Sequence, residues 1–145
     1  MRQLTATRVV LASVSVWALC VAFVVASQAQ TVWSGVYTEA QAYRGEKVAQ
    51  TTCVGCHGSG LDGGDSGPKL AGAMFLANWS TQSVAQLFDY VRESMPADAP
   101  GSLSKEDTAA ALAYILKLNK MPEGKQELSS NRDELARIEI IADKP

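Results

Sequence analysis

One pentapeptide, Cys53-Val54-Gly55-Cys56-His57, holds two of the three cysteines and the only histidine of this 145-residue chain. That scarcity excludes a good deal of chemistry. A site of several histidines cannot be built, and neither can a Cys2His2 zinc finger, which needs four ligands. Cysteines only three positions apart would close a very small loop, and a disulfide there would stabilise a fold little. With 47% apolar and 19% charged residues, the chain has the make-up of a globular protein with one core. Disorder, a multi-pass membrane protein and a two-domain enzyme do not fit.

The N-terminus reads as a targeting segment. Arg2 and Arg8 form a basic start, Val9 to Ala26 is an 18-residue run without charge, and Ser27-Gln28-Ala29 follows with small residues two positions apart. This is the order of a secretory signal peptide. The alternative is an uncleaved membrane anchor, since the run lies at the lower limit for spanning a bilayer. Cys20 follows Trp17-Ala18-Leu19 rather than a small residue, which argues against a lipid anchor at that cysteine. The expected division is residues 1–29 as signal and 30–145 as the working domain. Cleavage there leaves 11 basic and 15 acidic residues, a formal net charge of −4. That sign argues against nucleic acid, which wants a clustered basic surface. Export implies a periplasmic location, or attachment to the inner membrane facing the periplasm if the segment stays.

In an oxidising compartment two free thiols are used or paired. C-x-x-C-H is the attachment pattern of c-type haem. Two thiols add to the two vinyl groups of the porphyrin as thioethers, and the adjacent histidine reaches the iron. A thioredoxin-type pair expects a βαβ setting, and neither flank has a β-branched strand run. A half zinc site lacks its remaining ligands.

With His57 used, a second axial histidine does not exist, and methionine is the natural sixth ligand. Met74, Met95 and Met121 are the candidates in the exported part. Met95 precedes Pro96 and follows Val84, Leu87, Phe88 and Val91, which recur at helical spacing. The proline ends that helix and holds Met95 extended, so Met95 is the expected ligand. Met74 lies in a stretch that reads as pocket wall, and both it and Met121 are expected to pack.

The rest reads as helices joined by long loops. A first helix is expected over Glu39 to Thr52, and Gly58 to Gly72 is too rich in glycine for helix or strand. A second helix is expected from Ser80 or Thr81, as caps, to just before Met95. Pro100-Gly101 marks a turn in the Ala97–Leu103 loop, and Ser104 with Asp107 reads as a capping box. The helix behind it carries Ala109, Leu112, Ala113, Ile115 and Leu116 on its apolar face and ends near Lys117 or Leu118. Leu61, Leu70, Phe75 and Leu76 are expected around the pocket. The tail from Glu123 to Pro145, with Leu128, Leu135, Ile138 and Ile140, either crosses the core as a short helix or frays. Long glycine loops in so small a domain suit a cofactor that fills what they enclose.

From about Tyr43 to Leu128 these residues resemble the class I, monohaem His/Met cytochromes c. The resemblance rests on Cys53, Cys56 and His57, on Pro68 eleven residues after His57, and on Met95-Pro96. It implies an all-α fold wrapped around one covalent haem c. It also implies that the Pro68 carbonyl accepts a hydrogen bond from the ligand imidazole, and that Gly45 and Tyr114 form a small-against-aromatic helix crossing. Ala49 departs from the pattern, standing where the family often has an aromatic residue. The string from Trp79 through Val84, Leu87 and Met95-Pro96-Ala97-Asp98-Ala99-Pro100-Gly101-Ser102-Leu103-Ser104 to Ala113-Tyr114-Ile115-Leu116-Lys117-Leu118-Asn119 is similar to cytochrome c domains found with quinoprotein (PQQ) dehydrogenases. Trp79 could donate its indole N–H to a haem propionate, or simply be core.

The expectation is an electron carrier rather than an enzyme by itself. It would pass single electrons between a periplasmic dehydrogenase, such as a PQQ-dependent one, and a terminal oxidase or other cytochrome. A permanent haem subunit of a dehydrogenase complex is the first alternative. A small-ligand sensor or catalyst in which Met95 dissociates is the second.

Overall fold

The computed structural model describes residues 30–145, so the expected signal or anchor segment, with Cys20, lies outside the described residues. In chain order the elements are β1 (Gln30–Thr31), a 3-10 turn (Val32–Ser34), α1 (Glu39–Thr52), α2 (Val54–His57), α3 (Ala73–Trp79), α4 (Val84–Ser94), α5 (Lys105–Leu118), α6 (Arg132–Leu135) and β2 (Ile138–Glu139). The fold is all-α in class, as expected, with one two-stranded parallel pair in which Gln30 faces Ile138 and Thr31 faces Glu139. Among the described residues no helix is long and apolar enough to cross a membrane.

Helix α1 begins where its sequence says. The Thr38 side chain accepts from the Gln41 N–H at 3.1 Å, and Glu39 sits in the first turn, where the helix dipole favours a negative charge. Helix α5 has the expected Ser104 cap, which accepts from the Asp107 N–H at 2.9 Å, and its expected apolar face is buried throughout. The two helices cross at Gly45, where a Cβ would overlap the carbonyl of Ala110. Only a residue without a side chain lets the backbones approach so closely. Tyr114 is half-buried nearby, its hydroxyl pushed up in pKa by burial and then by Glu46 of α1, while Ala49 is buried.

Two expectations about the middle of the chain are corrected. Helix α4 starts at Val84, capped by Ser83 and not by Ser80 or Thr81, because Ser83 and Gln86 form the reciprocal capping box. Thr81 has a left-handed backbone, with φ +72°, and cannot enter a helix. Residues 73–79 form α3, which was not expected as a helix. Its N-cap is Gly72, which offers no capping side chain, so no start signal is written in the sequence.

The tail does cross the core. Leu128, Leu135, Ile138 and Ile140 are all buried, and side chains of this size each contribute about 1.5–3 kcal/mol when fully buried. Gln41 fastens it: its side-chain Nε2 donates to the Leu128 carbonyl at 2.8 Å, and its Oε1 accepts the Leu128 N–H at 2.7 Å.

Candidate functional site

The short helix α2 is one turn on which the pentapeptide is arranged. The Cys56 and His57 N–H groups both return to the Cys53 carbonyl, at 3.2 and 2.9 Å. That turn places Cys56 at the surface and leaves Cys53 partly covered, both as free thiols, and turns His57 inward to 8% exposure. Burial pushes the Cys53 thiol up in pKa.

The imidazole is fixed from one side. Nδ1 lies 2.7 Å from the Pro68 carbonyl oxygen. A carbonyl can only accept, so Nδ1 carries the proton, and Nε2 keeps the lone pair that a metal ligand requires. The loop from 58 to 72 is folded tightly enough for this contact: the Gly63 N–H donates to the His57 carbonyl at 2.8 Å and Leu70 to Leu61 at 2.9 Å. Gly67 lies flat on the ring, where a Cβ would stand 2.9 Å from Nδ1 and 3.0 Å from Cε1.

Asn119, the C-cap of α5, ties the far end of that loop. Its Nδ2 donates to the Leu70 carbonyl at 3.1 Å, and its Oδ1 accepts the Gly72 N–H at 2.9 Å. Gly67 was not singled out from sequence, and Asn119 entered only as the end of a family-like string, without its tie to this loop. The one available signal for Gly67 was its place directly before Pro68.

Beside α2 lies a cavity of ≈ 280 Å³. Cys53, Cys56, His57, Pro68, Trp79 and Met95 all line it, so the structure brings the six residues nominated to bind the cofactor to one place. Leu70, Phe75, Leu87, Val91, Ala111 and Ile115 make much of the rest of its wall apolar. Met95 has the extended backbone expected ahead of proline, φ −125° and ψ 146°. The Trp79 ring packs at 5.4 Å from that of Tyr90, which also lines the cavity. The Trp79 indole N–H makes no hydrogen bond among the described residues.

The other methionines separate cleanly. Met121 is 2% exposed and packs in the core, as expected, while Met74 is 68% exposed on α3, so the packing expected for it is corrected. Its side of the short helix faces outward because Phe75 takes the buried position. Leu61 is buried away from the cavity and Leu76 packs on the core, so of the four expected pocket leucines and phenylalanine only Leu70 and Phe75 line it. The donor set fits a haem: two thiols on one helical turn, an imidazole with a free Nε2, a thioether and apolar walls.

Residues 40–115, more than half of the chain, match the family described as cytochrome C oxidase, cbb3-type, subunit III. No curated protein matches the sequence. The crystal structure of the sulfane dehydrogenase SoxCD from Paracoccus pantotrophus is similar in fold, with a TM-score of 0.52 and 23% identity over 79% of this chain and 61% of that chain. This chain therefore spans about three-fifths of the length of the SoxCD chain that it matches. By its family match the protein belongs to the cbb3-type cytochrome c oxidase subunit III family, whose cytochrome c domain binds covalent haem c and serves haem-based electron transfer.

Proposed function

We propose that this protein is an exported carrier of single electrons, working in the periplasm between a dehydrogenase and a respiratory acceptor. The observation that carries the reading is the convergence of Cys53, Cys56, His57 and Met95 on one cavity, with His57 Nδ1 held by the Pro68 carbonyl. Haem c supplies one-electron chemistry when bound. Cys53 and Cys56 would hold it as thioethers, His57 Nε2 and the Met95 sulfur would be the groups to bind its iron, and the Trp79 indole N–H would offer a donor to a propionate. Leu70, Phe75, Val91 and Ile115 exclude water, and burial of this kind is one of the protein's means of tuning a potential. Two ligands retained in both oxidation states leave little to reorganise, which suits fast exchange across a small transient interface.

The names of the relatives support a reading of the partners. The family description is that of an oxidase subunit and the similar structure is that of a dehydrogenase, which supports an oxidase as acceptor and a dehydrogenase as donor. The resemblance to domains found with PQQ dehydrogenases makes a quinoprotein one candidate donor. The same two names favour a second reading, a haem subunit held permanently in such a complex. Co-purification in a stable complex from the native membrane or periplasm selects the second reading, and a free monomer the first. The leader up to Ala29 is cleaved in the first case and can act as an anchor in the second.

The test is an optical redox titration of the holoprotein with carbon monoxide added to the ferrous form. A carrier gives one reversible one-electron transition and no carbon monoxide adduct. Rapid adduct formation by the native protein overturns the carrier reading in favour of a sensor or catalyst in which Met95 leaves the iron.

A further inference from the structure

The helix that ends at Met95 is framed largely from outside the family-matched region. Helix α4 packs against α5, and otherwise against α6 and β2, both of which belong to the tail beyond residue 115. The tail strand is also sewn to the turn that starts α4. The Thr81 N–H donates to the Ile140 carbonyl at 2.8 Å, the Ile140 N–H donates to the Gln82 carbonyl at 2.8 Å, and Ser83 and Glu139 form an antiparallel bridge. On its other edge the same strand pairs with β1, and the Trp33 Nε1–H donates to the Ile141 carbonyl at 3.1 Å.

The turn held in this way is strained. Thr81 is β-branched and sits at φ +72°, where such residues are genuine outliers. The Oγ of the preceding Ser80 is buried with no hydrogen-bond partner among the described residues. Strain and an unpaired buried hydroxyl persist only where the surroundings impose them. Trp79, immediately before, ends α3 and lines the cavity, and Met95 stands at the other end of α4.

We propose that residues 138–141 are a strap that fixes the Thr81 turn, and that Thr81 and Ile140 are thereby positioning residues for Met95, setting how firmly its sulfur is held toward the haem iron. This rests on the reading of Met95 as the sixth ligand. A rigid helix of eleven residues transmits a change of tilt at Val84 to Met95, and the tilt is set where the strap meets the turn. As the sixth ligand Met95 would be one of the protein's levers on the potential.

The test compares holoprotein variants by three readouts: the far-red methionine-to-iron(III) band, the midpoint potential, and the rate at which carbon monoxide displaces the methionine from ferrous iron. Thr81→Gly keeps the N–H and tolerates the left-handed backbone, so it should match wild type in all three. Thr81→Pro removes the donor and forces φ negative. It should weaken the band, lower the potential and speed carbon monoxide binding several-fold. Gln41→Ala, which frees the tail at Leu128 instead, should lower the unfolding temperature with the band and potential unmoved. Should Thr81→Pro yield no holoprotein, Trp33→Phe loosens the strap from its other edge and should shift the readouts in the same direction. A wild type with the band and strap variants indistinguishable from it overturns the strap, as does a Gln41→Ala shift equal to that of Thr81→Pro. A wild type without the band overturns the ligand reading itself, and the strap's role with it.

Discussion

The Nδ1 of His57 donates to the carbonyl oxygen of Pro68 at 2.7 Å across an eleven-residue loop, and Gly67 is the residue that lets the two come together. A Cβ at Gly67 would stand 2.9 Å from Nδ1, tighter than real side chains tolerate. Gly67→Ala should push the imidazole off the carbonyl, cost about 1–3 kcal/mol of stability and raise the potential. The sign follows from the hydrogen bond: with it gone the ring is a poorer donor to ferric iron. Pro68→Ala keeps the carbonyl and should leave the potential near wild type. Denaturant melts and redox titrations of the two variants check both outcomes.

Asn119 joins the end of α5 to the same loop through Leu70 and Gly72. Asn119→Ala should cost about 2–3 kcal/mol, since it leaves partly buried backbone groups unpaired. Hydrogen exchange should show faster opening of amides between 61 and 72 than of those in the middle of α5.

Two glycines give opposite expectations. At Gly45 an added methyl would overlap the Ala110 carbonyl, so Gly45→Ala should force α1 and α5 apart and cost about 3 kcal/mol. At Gly55, between the two cysteines, a Cβ would meet nothing within 4 Å. Gly55→Ala should be neutral or stabilise by about 0.4–1 kcal/mol, because it restricts the unfolded chain. Urea midpoints of the paired variants decide it.

Tyr37 makes stability fall in alkali. Its hydroxyl donates to the Met121 carbonyl at 2.6 Å, and burial first, then Glu123 and Glu39, raise its pKa above the ordinary 10.0. The folded state thus holds the phenolic proton more tightly than the unfolded state does. The contribution is complete below pH 10.0 and is lost as pH rises through the folded value. Tyr37→Phe should cost about 1–2 kcal/mol at neutral pH and flatten the decline above that point. Denaturant melts over a pH series give both slopes.

Much of the site is legible in the sequence because it rests on residue types with few alternative uses. One histidine and two cysteines in a fixed spacing leave little else for them to do, and Pro96 holds Met95 extended by local sterics alone. Helix α5 was readable because Ser104 caps it with a side chain. Helix α3 was not, since Gly72 caps it with none, and Met74 was misplaced as a consequence. The roles of Gly67, Asn119 and Thr81 depend on what the fold brings beside them from 10 to 59 residues away. No local pattern records such a partner. The tail left two outcomes open because its apolar residues are spaced among charges, and backbone pairing with Gln30 and with the Thr81 turn decided between them.

The central claim is that His57 and Met95 together hold the iron of a single covalent haem. The far-red absorption of the oxidised holoprotein tests it most directly, measured for wild type, Met95→Ala, Met74→Leu and Met121→Leu. The account predicts the methionine-to-iron(III) band in wild type and in the Met74 and Met121 variants, and its loss in Met95→Ala. A band that survives in Met95→Ala, or that is missing from wild type, contradicts it.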